Sequence, residues 1–75
     1  MEQYKEALKC FDKAININPN DSKAWNNKGN SLQNLKQYKD AINCFEVAIK
    51  QDPNYKLAIA NKTFTESLLK QKEQE

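Results

Sequence analysis

One segment of this chain occurs twice, and the distance between the two copies limits the folds available to it. Residues 3–20, QYKEALKCFDKAININPN, and residues 37–54, QYKDAINCFEVAIKQDPN, lie 34 positions apart and agree at ten of eighteen places. A period of about 34 residues is typical of helical repeat proteins, in which each unit buries its apolar face only by stacking on a neighbour. The period therefore predicts a stack of similar helical units.

Apolar residues within each copy recur at spacings of three and four, which is the pattern of one stripe along a helix. In the first copy the stripe consists of Tyr4, Ala7, Leu8, Phe11, Ala14 and Ile15. In the second copy it consists of Tyr38, Ala41, Ile42, Phe45, Ala48 and Ile49. Pro19 and Pro53 follow the two stripes, and a proline cannot continue a helix. We therefore expect helices over 4–17 and 38–51.

Two further helices are predicted, over 22–35 and 55–70. Asn20 or Asp21 can cap the first of these by accepting a hydrogen bond from a free amide. The short turn at Lys36 and Gln37 carries neither a glycine for the helix end nor a good N-cap residue. The sequence thus predicts an all-α fold of four helices in antiparallel hairpins. The polar tail 71–75 is expected to fray.

Composition excludes several classes of function. A chain of 75 residues without a single His has no Ser or Cys beside a plausible base, so we expect neither an enzyme nor a cofactor. Cys10 and Cys44 fall one period apart, and two lone thiols cannot make a metal site. The net charge of +2 is the difference between twelve Lys and ten Asp or Glu; Arg is absent and both signs are spread along the chain, which argues against nucleic-acid binding. No apolar run approaches the roughly 20 residues that cross a bilayer, so a cytoplasmic protein without membrane contact is expected.

The middle of the chain resembles a tetratricopeptide repeat, whose pattern is W-x2-L-G-x2-Y, then A-x3-F, then P. The pattern is met by Trp25, Gly29, Ala41, Phe45 and Pro53. Lys28 stands where the pattern has Leu, and Leu32 stands where it has Tyr. The resemblance implies a short right-handed solenoid of stacked helical hairpins, with protein or peptide partners.

Aligned to this repeat, the chain is out of phase by half a unit. Residues 1–19 correspond to the second helix of one repeat, 20–53 to a complete repeat, and 54–70 to the first helix of the next. The first helix then lacks the helix that would cover its apolar face. We expect either a piece of a longer solenoid or a homo-oligomer, in which the half-repeats of two copies could complete one another. The self-association residues predicted on the first helix are Tyr4, Ala7, Phe11 and Ala14.

The resemblance also implies where a partner would bind, because the first helix of each repeat lines the inner, concave surface. On the helix over 22–35, the residues pointing away from the packing face are Lys23, Asn26, Asn27, Asn30, Gln33 and Asn34. An amide side chain carries both a donor and an acceptor, so it can bind the backbone of a peptide. Asn27 recurs one period later as Asn61, which resembles the asparagine ladder of O-GlcNAc transferase repeats. Phe64 would offer an apolar contact, and Lys23 would favour an acidic residue.

Other interpretations of these residues remain open. The amide-rich face could be a plain solvated helix surface. A clamp for a C-terminal carboxylate, as in chaperone co-factors, is disfavoured because Leu57 and Asn61 stand where that clamp has Lys and Arg.

The fourth helix departs most from the repeat. Thr63 takes the place of Gly29, and Glu66 takes the place of Leu32, which predicts looser packing there. Phe64 and Leu68 could fold back over the preceding helices as a cap instead of contacting a partner.

Overall fold

The computed structural model describes residues 2–74, and these form four α-helices and no strand. The helices are α1 (Glu2–Ile17), α2 (Ser22–Asn34), α3 (Tyr38–Gln51) and α4 (Lys56–Glu73). The predicted all-α fold is confirmed. Helix α4 extends to Glu73, into the polar tail 71–75, because these residues are good helix formers; the fraying of this tail stays a prediction. The rest of the predicted tail includes residue 75, which lies outside the described residues.

The sequence signals for helix ends correspond to specific contacts. Asp21 is the N-cap of α2, and its Oδ1 accepts a hydrogen bond from the amide of Ala24 at 3.2 Å. Of the two capping residues that the sequence allowed, Asp21 is therefore the one used. Pro19 and Pro53 lie just beyond α1 and α3, as expected of residues that lack the amide a helix needs.

The turn between α2 and α3 closes as a Schellman motif with lysine where glycine is usual. Lys36 has φ 65°, in the left-handed region. Its amide donates to the carbonyl of Gln33, and the amide of Gln37 donates to the carbonyl of Leu32, both at 2.9 Å. Gln37 makes no side-chain capping bond to α3. The turn thus forms without the glycine and the N-cap residue that the sequence lacks, and Lys36 takes the left-handed conformation itself.

The core lies between α2 and α3. Helix α2 contacts each of the other three helices, α1 packs on α2, and α4 packs mainly on α3. Phe45 and Ala41 of α3 are fully buried, and they form a cluster with Leu32 of α2 and Cys44. The Cα atoms span 39 × 31 × 14 Å, so the molecule is a slab about two helices thick. The apolar stripe of α3 is therefore the centre of the fold.

Gly29 allows α2 and α3 to approach closely. A Cβ atom added at Gly29 would lie 2.5 Å from one ring carbon of Phe45 and 2.8 and 2.9 Å from two others. Real Cβ contacts are longer than this, so the ring of Phe45 occupies the space that a side chain would need. The glycine of the repeat pattern thus lets the two helices of the hairpin meet by admitting this ring.

One backbone oxygen joins three segments at the end of the hairpin. The carbonyl of Pro19 accepts the indole N–H of Trp25 at 2.9 Å and the side-chain amide of Gln51 at 2.7 Å. This oxygen follows α1, Trp25 lies in α2, and Gln51 ends α3. The two bonds fix the α1–α2 loop against the hairpin.

Two ion pairs between helices are related by the 34-residue period. Lys28 Nζ of α2 lies 2.7 Å from Asp12 Oδ1 of α1, and Lys62 Nζ of α4 lies 3.5 Å from Glu46 Oε2 of α3. The lysine at the place of the usual Leu therefore joins each first helix to the second helix before it. Lys28 Nζ also lies 5.5 Å from the centre of the Trp25 ring, a cation–π distance.

The two cysteines occupy different environments. Cys44 is buried in the core, where desolvation raises the pKa of its thiol although Lys28 acts in the opposite direction. Cys10 is exposed on α1. Both thiols are free. Among the described residues, no helix is long and apolar enough to cross a membrane.

Candidate peptide-binding surface

The residues predicted to bind a peptide lie on α2 and α4, the first helices of two successive repeats. We use the name inner face for the residues predicted there from the sequence together with Leu57, which lies on the same stripe of α4 as Phe64. Its members are Lys23, Asn26, Asn27, Asn30, Gln33, Asn34, Leu57, Asn61 and Phe64. The structure separates this set into residues that join the two helices and residues that remain available.

Asn26 is wrong as a binding residue, because its side chain is buried. It is 1% exposed, and its Oδ1 accepts a hydrogen bond from Nδ2 of Asn61 at 3.0 Å. Its own Nδ2 has no hydrogen-bond partner within residues 2–74. The recurring asparagine Asn61 therefore uses one of its N–H groups to hold α4 against α2. Asn61 retains its other N–H and its oxygen for a ligand.

Gln33 is also engaged between the helices. Thr65 is fully buried, and its Oγ1 lies 2.9 Å from Oε1 of Gln33 and 2.7 Å from the carbonyl of Asn61. The hydroxyl donates its single hydrogen to one of these oxygens at a time. Together with Asn26–Asn61, this contact makes a polar seam between α2 and α4. Asn34 donates to the carbonyl of Asn30 within its own helix at 2.9 Å.

Three inner-face residues of α2 remain without a side-chain hydrogen bond among the described contacts. Lys23 is exposed, and Asn27 and Asn30 are half-buried. They recur at spacings of four and three, so they follow one line along the helix. Their donors and acceptors are free to meet a ligand that lies across α2.

The apolar part of the inner face is on α4. Leu57 is 57% exposed and Phe64 is 55% exposed. They are seven residues apart, which is two turns or roughly 10 Å along a helix. Phe64 does not fold back over the preceding helices as a cap, because that position would bury its side chain. Leu68 is half-buried. Two exposed side chains of this size make an apolar strip on the stripe of α4 that also carries Asn61, whose side chain contacts α2 at Asn26.

The inner face is open rather than a deep pocket. Two depressions, of about 520 and 680 Å³, lie elsewhere. The first is between the α2–α3 turn and the end of α4, and the second is beside the loops that follow α1 and α3. Only Lys23 of the inner face lines either one. Within residues 2–74, no group of three or more His, Cys, Asp and Glu side chains could hold a metal ion.

The predicted self-association residues of α1 are partly covered. Tyr4, Ala7, Phe11 and Ala14 are each half-buried, and α1 has no fully buried residue. Their counterparts Ala41, Phe45 and Ala48 on α3 are fully buried because α3 packs against helices on two sides. Leu8, on the same stripe of α1, packs against the core cluster. Self-association through this face stays a prediction.

Comparison with known proteins agrees with the repeat period. A tetratricopeptide repeat model matches residues 22–55, and a second model, described as a TPR repeat, matches residues 1–36. The chain is also 56% identical over 34 residues to a peroxisomal targeting signal receptor of Pichia angusta. That match covers 45% of this chain and 6% of the relative, so the chain corresponds to a small part of that protein.

The matched residues are those that build the described hairpins. The match over 22–55 contains Gly29 and Phe45, whose contact sets the distance between α2 and α3. The match over 1–36 contains α1 and the Lys28–Asp12 pair that joins it to α2. Together the two matches extend over residues 1–55, and the chain belongs to the tetratricopeptide repeat family.

Proposed function

We propose that this chain is a non-catalytic interaction module that binds an extended peptide across its inner face. Family membership and the match to a targeting signal receptor both point to protein–protein interaction. The observation that carries the proposal is the exposed apolar strip of Leu57 and Phe64 on α4, the helix that Asn61 joins to α2 one residue before the unpaired Asn27. Large apolar side chains that a small fold leaves exposed on one stripe are typical of a contact surface.

Each group of residues would have a separate role. Asn27, Asn30 and the free part of the Asn61 amide would bind the N–H and C=O groups of the peptide backbone. Such hydrogen bonds contribute about 0.5 to 1.5 kcal/mol each, so several in register are needed. Leu57 and Phe64 would contact apolar side chains of the peptide and bury the area that supplies most of the affinity.

The spacing of the apolar residues sets a requirement on the peptide. In an extended polyproline II chain, which has three residues per turn and a rise of about 3.1 Å, residues three apart lie on the same face and roughly 9 Å from one another, close to the distance between Leu57 and Phe64. Lys23 lies at the end of α2 that follows the Asp21 cap, and it favours an acidic residue at that end of the peptide. The preferred ligand is therefore extended, with two apolar residues three positions apart and an acidic residue near one end.

A selected peptide tests this proposal. Peptides would be selected from a random library on the whole chain, and their affinity would be measured by fluorescence anisotropy. We expect Phe64→Ala and the double variant Asn27→Ala, Asn30→Ala each to weaken binding by about tenfold or more, since 1.4 kcal/mol corresponds to a factor of ten. These substitutions leave the Asn26–Asn61 and Gln33–Thr65 contacts in place, so the helices should remain packed.

Matched controls lie on other helices. Asn43 is an exposed asparagine of α3, and Ile17 is a 79% exposed apolar residue of α1. Asn43→Ala and Ile17→Ala should leave the affinity unchanged. Equal affinities of all four variants for the selected peptide would contradict the proposed surface. In that case the inner face would be an ordinary solvated surface.

A further inference from the structure

The outer face of α4 is the place where a second copy of this chain would add in a head-to-tail stack. We use the name outer face for Ile59, Thr63 and Glu66, which lie one period after Trp25, Gly29 and Leu32. Helix α2 uses Gly29 and Leu32 to hold α3. On α4 the corresponding side chains are exposed, with Ile59 at 41%. The helix that repeats α3 in sequence is α1, so α1 of a second copy is the natural candidate for this position.

The geometry of the α2–α3 contact can be transferred to this hypothetical contact. Phe11 of the added α1 would take the position of Phe45, and Thr63 would take the position of Gly29. At Gly29 a Cβ alone would lie 2.5 Å from the Phe45 ring. Thr63 carries a Cβ with two further heavy atoms, and its Oγ1 is already held 3.1 Å from the carbonyl of Ile59. In this arrangement the side chain of Thr63 would therefore occupy the space that the ring of Phe11 needs.

Glu66 adds a second obstacle at the same contact. Its counterpart Leu32 is 7% exposed and packs against Ala41, Cys44 and Phe45. In the added copy, Glu66 would meet the corresponding side chains of α1, among them Phe11. Burying a carboxylate among such groups is unfavourable unless a cation accompanies it.

We propose that Thr63, supported by Glu66, determines which helices α4 accepts and excludes α1 of a second copy. The repeated segment would otherwise allow unlimited head-to-tail stacking, since a heterologous contact that does not close into a ring produces an open filament. Thr63 prevents this at the outer face of α4. The half-repeats of two copies consequently do not complete one another in the manner of α2 and α3.

The difference between glycine and alanine at position 63 tests this proposal. Two variants share Glu66→Leu and differ by one methyl group: T63G/E66L and T63A/E66L. The molecular mass of each would be measured by sedimentation equilibrium from low to high micromolar concentration. We expect the wild type and T63A/E66L to remain at the monomer mass of 8.7 kDa and T63G/E66L to rise above it with concentration. Alanine is a better helix former than glycine. If association depended only on the stability of α4, T63A/E66L would associate more than T63G/E66L.

A third variant identifies the contacting face. Adding Phe11→Asp to T63G/E66L should return the mass to that of a monomer. In the new contact, Phe11 is the side chain that fills the space left by the threonine side chain. Circular dichroism would establish that each variant keeps its helices.

Three results would overturn the proposal. The first is a T63G/E66L variant that stays monomeric at every concentration. The second is equal association of T63A/E66L and T63G/E66L. The third is a wild type that associates and is returned to monomer by Phe11→Asp; this result needs no change on α4 and is informative even if the glycine variant does not fold.

Discussion

At the scale of single residues, Lys36 is the position where the local sequence and the backbone conflict most directly. It closes the α2–α3 turn with φ 65°, a conformation that favours glycine. A side chain in the left-handed region costs roughly 1 to 2 kcal/mol, and glycine loses about 0.5 to 1 kcal/mol more backbone entropy on folding. The first effect exceeds the second at this position.

We therefore expect Lys36→Gly to raise the free energy of unfolding by about 0.5 to 1 kcal/mol. The measurement is urea unfolding followed by circular dichroism. Lys13→Gly is the matched control, since Lys13 lies on an exposed position within α1 and glycine there should cost about 1 kcal/mol. Destabilisation by both changes would mean that the turn does not strain Lys36.

At the scale of helices, the repeated ion pairs set how each first helix meets the second helix before it. Lys28 is 24% exposed and Asp12 is 57% exposed. Solvent screens a pair of this kind, and its contribution falls in the range of about 0.2 to 1 kcal/mol. The pair is more relevant to the relative position of α1 and α2 than to total stability.

A double-mutant cycle with Asp12→Ala and Lys28→Ala measures this contribution. We expect a coupling energy of about 0.2 to 1 kcal/mol that falls as salt is added. The comparison pair is Lys9–Glu6 within α1, which is 3.7 Å apart and more exposed, and it should couple less. A coupling near zero for Asp12 and Lys28 at low salt would contradict the role of this pair.

The repeat period predicts the helices well because their stripes, prolines and caps are local signals. The same period relates the two ion pairs between helices. Glu46 lies 34 residues after Asp12, and Lys62 lies 34 residues after Lys28. These pairs are missed when Lys28 is interpreted only as the loss of a leucine.

The inner face is predicted less completely than the helices. A helical pattern tells which residues share a face, but not which of them the next helix covers. Asn26 and Asn27 are adjacent in sequence, yet only Asn26 is buried, by α4 and its Asn61. No sequence pattern predicts the burial of the Thr65 hydroxyl, because its partner Gln33 is 32 residues away.

At the scale of the whole molecule, the slab shape places four of the seven buried apolar residues of the described chain on α3. A 75-residue domain has a free energy of unfolding of roughly 4 to 11 kcal/mol at about 0.05 to 0.15 kcal/mol per residue. Phe45 is fully buried, whereas its counterpart Phe11 is half-buried. The same residue type thus contributes differently in the two copies of the repeated segment.

We expect Phe45→Ala to cost about 3 to 5 kcal/mol, which removes much of the stability of the domain. Phe11→Ala should cost clearly less, because a large part of its ring remains in contact with solvent. Urea unfolding of both variants under the same conditions gives the comparison. Equal losses would indicate that α1 is covered as fully as α3 in solution.

The carbonyl of Pro19 gives the molecule an internal optical reporter. Trp25 is the single tryptophan of the chain, and its indole N–H shares that oxygen with the amide of Gln51 at the end of α3. If α3 detaches, the Gln51 amide leaves the Pro19 carbonyl that the indole binds. If the loop after α1 detaches, the indole loses this carbonyl itself. The emission of one natural fluorophore is thus sensitive to the docking of both helices, without any label.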